Sequence, residues 1–428
     1  MDFFQQLEDR TLVHQTTRPG MGEWLAEKPR TVYAGFDPTA DSLHVGHMMG
    51  LVMLRRFQLA GHRPIAVVGG ATGMIGDPSG RSDERNLLSK EQLEKNVESI
   101  GAQMRRFIDF DASALLLNNL DWTGGWSYLE FLRDIGKNFP VNVMLSKDSV
   151  KSRLGRGSDD AEAAGMSYTE FSYMLLQAYD FVHLFREHAC ELQAGGSDQW
   201  GNITAGIDLG RRMLGAELCG MTWPLLTKSD GTKMGKSVSG AVWLDPERTS
   251  PYEFYQYWIN VDDADVGGVL RMLSGVELEE IESLDQARQE NASARDSQRR
   301  LAEDLTELVH GSEGLATAQR ATEIFFGAEV EGLDEKTLSQ IFADVPAGEM
   351  PQEALTGEGL PIVDALVASG LAKSKGDARR TVEQGGAYIN NRRVEGLERA
   401  LTPADLASQT TVVLRSGRKR YALLRFAR

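Results

Sequence analysis

Cysteine is the scarcest resource in this 428-residue chain. There are only two, Cys190 and Cys219, and they show no CxxC spacing. That excludes a disulfide framework and a cysteine-held zinc, and it marks both as small core residues of a protein in a reducing, cytoplasmic setting. Long apolar runs are missing too. No stretch approaches the ~20 residues that span a bilayer, and the start, MDFFQQLEDR, has no basic region ahead of an apolar one, so no membrane partner is expected. The seven histidines lack ligand spacing, so no resident metal is expected either. Basic charge is in deficit, with 46 Lys and Arg against 62 Asp and Glu and a net charge of −16. Wholesale nucleic-acid binding does not fit that balance.

The deficit is uneven. From Pro361 to Arg428 there are thirteen Lys and Arg against six Asp and Glu, a local +7, which leaves −23 on the preceding 360 residues. A basic tail on an acidic body points to phosphate-backbone contact by the tail alone.

Hydrophobic content of 41% and charged content of 25% are those of an ordinary globular protein, and the length allows two or three domains. Thr31 to Phe36 reads as a strand, Gly46 to Ala60 as a helix stopped by Gly61, and Pro64 to Val68 as a strand buried on both faces. Together they form a right-handed β-α-β unit. Glu191 to Gly195 reads as another strand, ending in Gly196-Ser197-Asp198 and a helix to about Leu214. The expected fold is α/β, a doubly wound parallel sheet over 1–250 that binds ligands at the carboxyl ends of its strands. Leu301, Leu305, Leu308 and Val309 then mark an amphipathic helix ending near Gly311, within an α-helical region at 251–326. Residues 327–360 look like a linker, and 361–428 form the basic module.

Two clusters carry chemistry. In YAGFDPTADSLHVGH (Tyr33–His47) a strand turns into a helix start flanked by His44 and His47. Such a start offers free N–H groups and positive potential to a polyphosphate, and Gly46 removes a side chain where a flat ring could lie. In KSDGTKMGKS (Lys228–Ser237) a glycine-punctuated loop carries Lys233 and Lys236, suited to a leaving group whose charge rises only during reaction. Tyr173, Gln177 and Asp180 share one helical face at i, i+4 and i+7, with apolar neighbours.

The two clusters resemble the HIGH and KMSKS signatures of class I aminoacyl-tRNA synthetases, here HVGH and KMGKS, in order and about 185 residues apart. GGATGMIGDPSGR, YMLLQAYDF, QAGGSDQWGNITAG and TSPYEFYQYWIN are similar to the tyrosyl-tRNA synthetase family, and Pro361 to Arg393 resembles an S4-type RNA-binding domain. The resemblance implies a Rossmann-like catalytic domain with a dimer-forming insertion near 122–160, and L-tyrosine, ATP with Mg²⁺, and tRNA(Tyr) as partners of a homodimer. It assigns Tyr33 and Asp180 to the phenol hydroxyl of tyrosine, Asp77, Tyr173 and Gln177 to its ammonium group, and Gln199 to its carboxylate. Asp198 falls to the ribose, Gly35 and Asp37 beneath the nucleotide, and Gly46 to the same ATP site. Thr39 and His44 fall to the γ-phosphate, His47 to the adenine or ribose, and Lys233, Lys236, Arg81 and Arg85 to the pyrophosphate. Ala34 and Gly50 stand where some relatives have cysteine and threonine near the ribose. A tryptophanyl enzyme is disfavoured by Tyr33 with Asp180 and by the tail; a dinucleotide site fails because GGATGMIG is not GxGxxG.

Overall fold

The computed structural model describes residues 2–79, 88–147, 150–151, 165–237, 240–331, 333–342 and 345–427. They divide into two compact units, Met1–Arg248 with Tyr257–Val309, and Thr249–Gln256 with His310–Arg428.

A six-stranded sheet organises the first unit: β1 (Gln15–Thr16), β2 (Thr31–Phe36), β3 (Arg63–Val68), β4 (Leu115–Asn118), β5 (Cys190–Gly196) and β6 (Cys219–Trp223), in the spatial order β1-β6-β5-β2-β3-β4. Strands β2 to β6 are parallel, and only the short β1 runs antiparallel, on β6. This is the doubly wound sheet expected. Five of the six β3 residues are buried, as helices on both faces require. Cys190 and Cys219 sit buried in β5 and β6 as free thiols. From β2 the chain winds outward through β3 and β4, then crosses back to β5 on the other side of β2. That reversal opens a crevice at the carboxyl ends of β2 and β5.

The helix Val45–Leu59 buries nine residues and stops where Gly61 takes φ 86°, the left-handed position that glycine tolerates. The helix Tyr168–His188 starts at Ser167, whose hydroxyl accepts the Glu170 N–H. Within the expected insertion, the described residues make short helices at Tyr128–Asp134 and Val141–Met144. Ile135 is buried there and Trp126 and Phe131 pack edge-on against Tyr179, whereas Tyr128, Leu129, Val141 and Val143 are exposed. A small hairpin, β7 (Lys236–Ser237) with β8 (Gly240–Ala241), closes the lysine loop.

The second unit carries β9 (Ala347–Pro351), the paired β10 (Leu360–Pro361) and β13 (Ala400–Leu401), and β11 (Ala387–Ile389), β12 (Arg392–Arg393), β14 (Thr411–Ser416) and β15 (Arg420–Ala427). Its sheet runs β12-β11-β14-β15-β9. Asn390 and Asn391 join β11 to β12 with φ 49° and 68°, the backbone of a tight hairpin. The linker-like segment 327–360, in which at most short helices are expected, holds one of seven residues, Glu335–Ile341, but also β9, which adds to β15 in parallel along five rungs. AGEMP has almost no apolar pattern of its own, so its partner strand specifies it. The helical region 251–326 is likewise shared between the units rather than standing alone. Its amphipathic stretch does end at Gly311, where φ 74° and ψ 178° interrupt the helix Asp296–Phe325.

Candidate active site

His44, extended before the first helical turn, caps the helix through its ring. Its Nδ1 accepts the Gly46 N–H at 3.0 Å, and His47 Nδ1 accepts the His44 N–H at 3.1 Å. An accepting Nδ1 leaves each neutral imidazole with its proton on Nε2. The ring centroids lie 4.0 Å apart. A Cβ on Gly46 would sit 2.8 Å from His44 Cε1, so the flat ring against which this glycine is trimmed is that of His44.

The lysine loop meets the same helix start. Val45 donates to the Val242 carbonyl at 2.9 Å, and Leu244 donates to that of Leu43 at 2.8 Å. Gly235, at φ 95°, comes so close that a Cβ would lie 3.2 Å from the Gly46 nitrogen, and its N–H donates to the Tyr257 hydroxyl at 2.8 Å. This backbone explains glycine rather than the serine of KMSKS. Lys233 lines the cleft; Lys236 contributes backbone to β7, and its side chain lies outside the described residues. Arg81 and Arg85 also lie outside them.

At the deep end, Tyr33 is 1% exposed and Asp180 3%. Asn119 Nδ2 donates to Asp180 Oδ2 at 3.1 Å, and Trp122 Nε1 donates to Oδ1 at 2.8 Å. Burial pushes the Asp180 carboxyl up to about 7 although both donors favour its ionised form. Burial, and then the charge of Asp180, raise the Tyr33 phenol well above its ordinary value. Asn119 and Trp122 carried no signal in the sequence that tied them to Asp180, some sixty residues on.

Midway, Gln199 orients its neighbours. Its Nε2 donates to Asp77 at 2.7 Å, and its Oε1 accepts from Gln177 at 3.2 Å and from Asn202 at 3.1 Å. Tyr173 reaches the other way, donating to Asp37 Oδ2 at 3.0 Å, while Thr72 donates to Oδ1 at 2.7 Å. The Asp198 carboxyl is raised by burial and by the charge of Asp77, and lowered by Lys233. Nothing lies within 4 Å of where a Gly35 Cβ would point, which leaves open floor. A Cβ on Gly50 would meet the Phe36 ring at 3.0 Å, so a threonine there would displace that ring.

These residues line one cleft of about 480 Å³. Tyr33, Gly35, Asp37, Thr39, His44, Gly46, His47, Asp77, Tyr173, Gln177, Asp180, Asp198, Gln199 and Lys233 all border it. The structure thus brings together every expected site residue whose side chain it describes. Among the described residues, four aspartates and Lys233 border this space. Such an acidic lining suits a positively charged group.

A family model described as tRNA synthetases class I (W and Y) matches residues 25–327, and one described as a tyrosine–tRNA ligase SYY-like C-terminal domain matches 337–424. The chain is 60% identical over 424 residues to a tyrosine–tRNA ligase of Rhodopirellula baltica, covering 98% of this chain and 95% of that one. It is 47% identical over 432 residues to that of Geobacillus stearothermophilus, with both chains covered completely. Among solved structures, a C-terminally truncated mitochondrial tyrosyl-tRNA synthetase of Aspergillus nidulans superposes with a TM-score of 0.66 at 31% identity, covering 76% of this chain and 94% of that one. The class I (W and Y) model leaves tyrosine and tryptophan enzymes together, but the full-length relatives separate them: the chain belongs to the tyrosyl-tRNA synthetases of class I.

Proposed function

We propose that the cleft holds tyrosine with its ring at the deep end and ATP across the two signature segments, so that the parts of this tyrosine–tRNA ligase fall to particular residues. Tyr33 and Asp180 bind the phenol hydroxyl. Asp77, Tyr173 and Gln177 take the ammonium group, with Gln199 beside the carboxylate. Asp198 binds the ribose, Gly35 and Asp37 lie under the nucleotide, and Gly46 belongs to the same ATP site by making room for the His44 ring. Thr39 and His44 meet the γ-phosphate, and His47 the adenine or ribose. Lys233, Lys236, Arg81 and Arg85 draw charge from the leaving pyrophosphate. Mg²⁺ would arrive on the polyphosphate, whose oxygens supply much of its coordination, and would offset the acidic cleft.

A carboxylate oxygen of tyrosine attacks the α-phosphorus in line, and the bond to pyrophosphate breaks. The acyl group then passes from the adenylate to a hydroxyl of the terminal adenosine of tRNA, releasing AMP. No side chain becomes covalently attached; positioning and late charge stabilisation do the catalysis.

The observation that carries this reading is Asp180, buried beside Tyr33 with one donor on each oxygen. A substrate without the hydroxyl leaves such groups unmatched, at about 1–3 kcal/mol for a buried polar group. In tyrosine- and phenylalanine-dependent pyrophosphate exchange, Tyr33→Phe should narrow the kcat/KM ratio of the two amino acids by about 0.5–1.5 kcal/mol, and Asp180→Asn by more. An unchanged ratio in both would remove these residues from the pocket.

Two further readings concern assembly and the tail. Tyr128 (64% exposed), Leu129 (75%) and Val141 (58%) are exposed apolar side chains of the expected insertion, which a second copy of the chain covers, making a homodimer. A monomer mass in light scattering at micromolar concentration would rule it out. Lys373, Lys375, Arg379, Arg380, Arg392 and Arg393 grip tRNA phosphates, so that binding falls steeply with salt. Because β9 completes the tail's sheet, a cut belongs near Gly327 rather than Leu360. The shortened chain should keep adenylate formation and lose tRNA charging; loss of both would assign the tail a role in holding the catalytic fold.

A further inference from the structure

The turn that leads to Lys233 is closed on itself. The Lys228 N–H donates to the Thr232 carbonyl at 2.8 Å and the Gly231 N–H to that of Lys228 at 2.9 Å, while Asp230 Oδ1 accepts the Thr232 N–H at 2.8 Å. Thr227 and Lys233 face each other across an antiparallel bridge, and the Met234 N–H donates to the Leu226 carbonyl at 2.9 Å. Residues 226–234 are therefore tied into one piece. Whatever fixes Ser229 also fixes the backbone from which the exposed Lys233 reaches out.

Among the described residues, two side chains from elsewhere in the chain accept hydrogen bonds from the backbone of this loop. Tyr257 takes the Gly235 N–H, and Asp265 Oδ1 takes the Ser229 N–H at 2.7 Å. Asp265 is 8% exposed and is the third residue of the helix Asp263–Leu273. An acid at that position ordinarily reaches back to close the start of its own helix. Here it is turned to a segment 36 positions earlier. A hydrogen bond to a carboxylate is about twice as strong as a neutral one. Because this one is made to backbone, Lys233 keeps its charge for a phosphate, whereas an aspartate paired with the ammonium group would cancel it.

We infer that Asp265 is a positioning residue for adenylate formation: by holding the Ser229 N–H, its carboxylate sets where Lys233 stands as pyrophosphate leaves. The inference rests on the role of Lys233 proposed above and deepens it. With Asp265 at Ser229 and Tyr257 at Gly235, the segment that bears Lys233 is held on both sides of it. The lysine then reaches from a fixed base, and only its side chain has to find the departing charge.

The test is a double-variant cycle on the full chain, read as the single-turnover rate of adenylate formation at saturating tyrosine and ATP. Asp265→Ala should slow that rate about tenfold, the size expected of one hydrogen bond to a charged group. Equilibrium binding of tyrosine, which also reports a folded cleft, should not change. Asp265→Asn keeps an oxygen in the same place and should recover most of the rate. In a chain that already carries Lys233→Ala, adding Asp265→Ala should cost less than about twofold, because the group it positions is gone. A full tenfold loss in that background would overturn the inference, as would a normal rate in Asp265→Ala alone. Loss of tyrosine binding in step with rate would make Asp265 a support of the fold and no more. If Lys233→Ala slows the reaction and the two losses simply add, only the role of Asp265 fails; if Lys233→Ala leaves the rate unchanged, the role of the lysine fails and the inference with it.

Discussion

The two ends of the cleft are built on opposite plans. At the end proposed for tyrosine the polar groups are buried, and each Asp180 oxygen has its own donor, Asn119 or Trp122, from one segment some sixty residues earlier. At the phosphate end Gly231, Thr232 and Lys233 are exposed, and the loop is held mainly by backbone hydrogen bonds and turns of positive φ. A neutral hydroxyl is worth recognising only where water is absent and the partners are already aimed. Charge on a departing pyrophosphate is large and appears late, so exposed cations that reach it then are more useful than ones fixed on the ground state. On the placement of tyrosine and ATP proposed above, selectivity falls to the buried end and rate to the exposed one.

The sharpest way to break this contrast is Lys233→Ala. It should slow adenylate formation by about 10²–10³, as loss of one donor to a developing charge does, and leave tyrosine binding untouched. Equilibrium binding of tyrosine together with single-turnover rates checks it; weakened tyrosine binding at normal rate would dissolve the distinction.

Next in size is the cost of the rigid end itself. Asp180 is raised by burial to about 7, against about 3.9 in an unfolded chain, so the native state keeps a proton that the unfolded chain has released. Its contribution to stability is therefore greatest below pH 4 and declines as pH rises to about 7, by up to about 4 kcal/mol. Melting of the ligand-free protein between pH 5 and 7.5 should show this decline, and Asp180→Asn should flatten it. A slope shared by both proteins would place the titration elsewhere.

Gly235→Ser follows. At φ 95° a side chain costs about 1–3 kcal/mol, so adenylate formation should slow roughly tenfold, with tyrosine KM unchanged. Smallest is Tyr257→Phe, which removes one acceptor from the Gly235 N–H and should raise KM for ATP only a few-fold. Amide exchange at Gly235 should quicken in that variant; unaltered exchange would show the hydroxyl to be dispensable.

Much of this site was legible because its signals are local. The strand at 31–36, the helix start at His44 and the common face of Tyr173, Gln177 and Asp180 each follow from spacing within a dozen residues. What escaped is long-range. Asn119 and Trp122 reach Asp180 through the sheet, so only the fold could pair them. Tyr173 meets Asp37 across 136 positions. Strand β9 was missed for the converse reason: its residues have little strand character, and the register comes from β15.

The hydrogen bonds of Val45 and Leu43 with Val242 and Leu244 join segments nearly two hundred residues apart. Loop closure of that span precedes any reward from the contact, so it forms late in folding. A ribosome making this chain releases the HVGH segment long before the KMGKS segment exists. During that interval the nascent protein has a helix start but no assembled nucleotide site. The nucleotide site proposed above can therefore be complete only once synthesis has passed residue 244.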